Sequence, residues 1–145
     1  MKTYEAKSGR VIVGRLERDE DLVGALLQVA RQYDLKCAEV RALGAVTEAK
    51  VTEWDDVARA YRTPAVHRVG LMEVLMLYGN LSSKEGELFW HLHLTAGFMQ
   101  AGETNMVAGH LLSATVYALE FVIRELDGVD LVRVPDAATG LMLWE

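Results

Sequence analysis

The stretch Glu87-Leu88-Phe89-Trp90-His91-Leu92-His93-Leu94-Thr95-Ala96-Gly97 decides how the rest of the chain is read. Residues two apart on a β-strand point to one side. Leu88, Trp90, Leu92 and Leu94 therefore make an apolar face directed at a core, and Phe89, His91 and His93 make the other. Upstream, Gly70 to Asn80 is strongly apolar and strand-like, and Ser82-Ser83-Lys84-Glu85-Gly86 reads as the turn between the two. The pair is expected to form an antiparallel hairpin.

Further out, Arg10 to Leu16 reads as a strand rich in branched residues. Asp19 is the expected N-cap of a helix from Glu20 to Tyr33, docked by Leu22, Leu26, Val29, Ala30 and Tyr33. Cys37 to Leu43 and Ala45 to Trp54 read as two strands divided by Gly44, and Trp54 to Pro64 as a loop. Phe98 to Asn105 reads as a Gly-containing loop. In the long apolar run from Gly109 to Leu126 the first part fits a helix by pattern, whereas the alternation of Tyr117, Leu119, Phe121 and Ile123 favours a strand for the second. Short strands are expected at Val129 to Val134 and Gly140 to Trp144. The sum is one α+β domain over residues 1–145, a largely antiparallel sheet flanked by a few helices.

Composition narrows the function. The single Cys37 cannot form an internal disulfide and reads as a small buried hydrophobe. Fifteen Lys and Arg against 21 Asp and Glu leave a net charge of −6, with the cations scattered, which argues against direct nucleic-acid binding. No apolar signal segment opens the chain, and no run approaches the roughly 18–20 apolar residues that span a bilayer. A cytoplasmic protein without membrane contact is the expectation.

The chemistry lies with histidine. His91 and His93 share a strand face, and His110 follows in Val107-Ala108-Gly109-His110-Leu111-Leu112, where Gly109 permits a close backbone approach. Three neutral imidazoles with an open fourth position suit zinc or another late first-row metal, and the same rings also suit a small-molecule or anion site, or simply a polar face. His67 reads as a surface residue, Ser113 as structural and Glu120 as solvent-facing. No catalytic residue is assigned, and no organic cofactor is expected, since no Gly-rich phosphate cradle is visible.

His91-Leu92-His93 followed by Gly109-His110-Leu111-Leu112 resembles the signature of the plants and prokaryotes conserved (PPC) domain family. Gly79-Asn80-Leu81-Ser82, Gly70 to Leu75, Leu43 to Val46, Val122 to Leu126 and Thr139 to Leu141 follow the family pattern in order, with Leu71 and Met72 replacing the family's Arg and Phe. The resemblance implies an antiparallel sheet assembled as a homotrimer. In plants such domains follow AT-hooks in nuclear DNA-binding proteins, and prokaryotic members are often described as DNA-binding; this chain has no Arg-Gly-Arg-Pro hook core. The fold is also similar to that of acetolactate decarboxylase, in which three His hold zinc. On that likeness His91, His93 and His110 are the expected ligands of a divalent metal, zinc first, or of a small molecule. The alternative is a regulatory module that contacts DNA or a transcription partner without catalysis.

Overall fold

A computed structural model describes residues 1–63 and 65–145, so the Pro64 end of the expected loop lies outside the described residues. In chain order the elements are β1 (Lys7–Leu16), α1 (Leu22–Gln32), β2 (Ala38–Thr52), β3 (Trp54–Asp55), β4 (Ala60–Tyr61), β5 (Val66–Lys84), β6 (Glu87–Gln100), β7 (Glu103–Asp127), β8 (Val132–Pro135) and β9 (Met142–Trp144).

Four strands close a ring. β2 and β6 each pair antiparallel with both β5 and β7. β1 extends the sheet along β7, and β8 joins β5 in parallel through Ser83 and Lys84. The curled sheet covers most of its own inner face, which is why one helix among the described residues suffices where a few were expected. That helix buries Leu22, Leu26 and Ala30. Its N-cap is Asp21, whose carboxylate accepts from the Gly24 N–H; Asp19, the residue expected there, turns through a positive φ of 70° and donates its N–H to Val116 instead. The buried side chains, from Ile12 to Ile123, make one cluster.

The strands are longer than the sequence suggests, and bulges explain why. β2 runs unbroken through Gly44, where the sequence pattern predicts a stop. Gly44 holds φ +140° because the sheet passes so close that a Cβ there would collide with the Ala118 carbonyl oxygen. β7 is a strand throughout, including the part whose pattern fits a helix. Its pairing with β2 shifts register between Lys50 and Val51 and again between Ala45 and Val46. The buried positions therefore fall at Val107, Leu111, Ala114, Val116 and Leu119, at spacings of four, three, two and three, before strict alternation resumes through Phe121 and Ile123. Bulged alternation imitates a helical period. A bulge also falls between Val74 and Met76 in β5, leaving Leu75 and Met76 both exposed while Met72 and Leu77 are buried. The expected loop at Phe98 to Asn105 is the end of the β6–β7 hairpin, turning only at Ala101 and Gly102.

No helix among the described residues is long and apolar enough to cross a membrane.

Candidate metal centre

His91 and His93 project from β6 on one face, while Trp90, Leu92 and Leu94 are buried on the other, as alternation requires. His110 lies directly opposite His93 on β7, and its other neighbour is Thr52 on β2. It stands where β7 ends its pairing with β6 and begins its pairing with β2. Gly109 makes that crossing possible: its φ is +150°, and a Cβ there would lie 2.7 Å from the Thr52 carbonyl oxygen.

The three rings converge. Their centroids are 4.9 to 5.5 Å apart, and one ligand nitrogen from each falls within 4.8 Å of the others. The cavity they line measures about 600 Å3. Tyr61 of the small β3–β4 hairpin packs its ring 4.9 Å from that of His110, and Trp54 packs edge-on against Tyr61. Burial, reinforced by neighbouring positive charge, pulls His91 and His110 down to about 4, so both are neutral at pH 7. Neutral imidazoles are the form that ligates a metal.

Sequence reasoning missed a fourth residue. Arg133 of β8 is buried, with 7% of its surface exposed. It donates from Nε to Ser82 Oγ (3.0 Å), from Nη1 to the Met142 carbonyl (2.9 Å), and from Nη2 to Asn80 Oδ1 (2.7 Å) and His91 Nδ1 (3.3 Å). Its pKa is lowered, first of all by burial. The available signal was phase: Arg133 is two residues from buried Leu131 in a short strand, so it points inward with it. A guanidinium only donates, so Nδ1 of His91 accepts, and the ring's proton sits on Nε2, 3.2 Å from Nε2 of His93. The donor set fits a divalent ion, with one adjustment. To ligate through Nε2, His91 must carry its proton on Nδ1 and give up the bond from Arg133.

The remaining expectations sort clearly. His67 is at the surface, 2.6 Å from Glu48, and takes no part in the cluster. Glu120 and Glu73 are exposed, Ser113 is half-buried beside Lys50, and Cys37 is buried with its sulfur accepting the Leu131 N–H.

The model of the Plants and Prokaryotes Conserved (PCC) domain, abbreviated PPC above, matches residues 3–127. A metal-containing protein from Archaeoglobus fulgidus superposes with a TM-score of 0.92 at 31% identity, covering 100% of this chain and 99% of that one. A plant- and prokaryote-conserved protein from Pyrococcus horikoshii gives 0.90 at 28%, covering 100% and 97%. A candidate DNA-binding protein from Bacteroides thetaiotaomicron gives 0.80 at 22%, covering 97% and 96%, a likeness of fold alone. No curated protein matches the chain.

Proposed function

The chain belongs to the Plants and Prokaryotes Conserved domain family, and on that footing we propose that it is a homotrimeric protein whose His91, His93 and His110 bind a divalent metal, zinc foremost. The observation that carries this reading is the convergence of three imidazole nitrogens within 4.8 Å in a cavity that keeps two of the rings neutral. The description of the Archaeoglobus relative as metal-containing supports it. An ion held by three His with an open position supplies Lewis acidity toward water or a carbonyl. Around it, Tyr61 and Phe89 offer flat surfaces against which a small molecule can lie.

The trimer is supported by an uncovered apolar surface. Leu43, Val69, Leu71, Leu75 and Met76 are each more than half exposed on the outer side of β2 and β5. Patches of this kind mark contact surfaces.

Elemental analysis of purified protein tests the metal. The expected result is one ion per chain, lost in His91→Ala with the far-UV spectrum unchanged. A wild type that takes up no stoichiometric zinc, manganese, iron or nickel would remove the metal. Light scattering tests the assembly against three times the 16.1 kDa chain mass.

A DNA-associated regulatory role is the alternative; it rests on the description of the Bacteroides relative, whose likeness to this chain is one of fold. The net charge of −6 opposes direct contact. A gel shift with random duplex at low salt decides: no shift where phosphate contacts are strongest ends the direct version.

A further inference from the structure

Arg133 holds no metal, yet it is the most deeply buried charge at the centre. We propose that the cavity takes its metal together with an oxyanion, a carboxylate or phosphate group on a small molecule, which Arg133 and Lys84 neutralise. This rests on the metal reading above and adds the class of ligand.

The charge is the first argument. Among the described residues neither Arg133 nor Lys84 has a carboxylate within 4.0 Å. The carboxylate of Glu53, which also lines the cavity, is engaged 3.0 Å from Arg62. A buried guanidinium without a counter-charge is costly, and a divalent ion held by uncharged rings beside it makes the imbalance larger. An acidic protein has thus placed two cations without a carboxylate partner at one cavity.

Geometry is the second. Lys84 Nζ stands 5.1 Å and Arg133 Cζ 5.7 Å from the centre of the Phe89 ring, on the strand face that carries His91 and His93. Both cations therefore border the same wall as the imidazoles. Ser82, Asn80 and the Met142 carbonyl hold the guanidinium from the side, fixing its position. Four of its five N–H groups have partners among the described residues, and metal ligation by His91 releases one of them. Two N–H groups and a fixed positive charge then serve a planar or tetrahedral oxyanion, the recognition for which Arg is suited.

The shape of the site is the third. Ordinarily the nitrogen of a ligating His that faces away from the metal donates to a carboxylate or carbonyl, which raises metal affinity. Here that nitrogen faces a cation, an arrangement that weakens a bare metal site and favours one completed by an anion. Phe89, Leu112, Leu141 and Leu143 add apolar wall to the cavity, which suits the body of a small organic acid or phosphoester.

Cobalt(II) tests this, because its visible absorption reports both uptake and coordination. Metal-depleted protein is loaded with cobalt and titrated in separate arms with acetate and with inorganic phosphate. The expected result is a saturable spectral change in at least one arm, which also tells carboxylate from phosphate. Arg133→Met keeps cobalt uptake but weakens the anion by about tenfold or more, and Lys84→Met weakens it less. Because Arg133 also anchors β8, the Lys84 variant serves if Arg133→Met fails to fold. A cobalt-loaded wild type that responds to neither anion overturns the proposal, as does an unchanged anion response in both variants. If the wild type takes up no cobalt, the metal reading fails by itself; calorimetry with the same anions on metal-free protein then shows whether an Arg133-dependent oxyanion site stands without it, and absence of heat removes that as well.

Discussion

The histidine cavity and an apolar groove share the strands β2, β5 and β7 but draw on different stretches of them; β6 and β8 complete the cavity, and β1 the groove. Thr52, Lys84, Gly109 and His110, with His91 and His93 of β6, line a cavity of about 600 Å3; Leu43, Leu75, Met76 and Tyr78 line a groove of about 820 Å3. The cavity is walled by the β3–β4 hairpin and by residues 140–143, and polar groups converge in it. In the groove apolar side chains lie open, with Arg15, Arg41 and Glu120 at its edges and no cluster of metal-ligating groups among the described residues. Size therefore does not tell the two apart, and chemistry does. A pocket in which rings and cations converge suits a small ligand, whereas a larger apolar surface without such convergence suits a protein partner.

If the two regions work independently, each can be broken without the other. Leu75→Glu with Met76→Glu should dissociate the proposed trimer to monomers in light scattering, since charges replace apolar side chains worth about 1.5–3 kcal/mol each when buried, while metal content per chain stays the same. Loss of both together would merge the two regions into one site.

A smaller effect concerns pH. His91 and His110 sit near 4 when folded against about 6.5 when unfolded. Between these values the unfolded chain binds more protons, so stability rises with pH. In metal-free protein the contribution is complete above about pH 6.5 and is lost as pH falls toward 4, on the order of a few kcal/mol in sum. Denaturant melts at pH 4.5 and 7 should show this gap, and His110→Gln should narrow it. The groove substitutions should leave it alone.

Gly109→Ala strains the backbone where β7 crosses from β6 to β2. A cost of roughly 1–3 kcal/mol is expected, with weaker metal uptake, because His110 follows immediately. An alanine variant of wild-type stability and uptake would show that the crossing does not set the His110 position. Smallest of all, His67→Ala should change stability by less than about 1 kcal/mol and metal stoichiometry not at all, since its pairing with Glu48 is a surface one.

The parts of this architecture that obey strict alternation were legible in the sequence. The two faces of β6, the hairpin with β5 and the role of Gly109 needed only a period of two and a glycine before a histidine. The unbroken course of β2 and β7 was hidden because ring closure, a contact between distant segments, forces bulges that local pattern registers as a stop or a helix. Arg133 was hidden for a related reason. Its partners are 51, 53 and 42 residues away in sequence, at Ser82, Asn80 and His91, so only the folded chain shows that a lone arginine in a short strand belongs to the histidines.

The family match ends at Asp127, and all three histidines fall inside it. The guanidinium and the wall from Gly140 to Leu143 come after it. The centre is thus divided along the chain: a long stretch of strands supplies the rings, and a short C-terminal one closes one flank. On the reading proposed above, exchanging residues 128–145 between relatives would re-tailor what the chamber admits while leaving the imidazoles in place, so that ligand preference and metal capture would be separately adjustable.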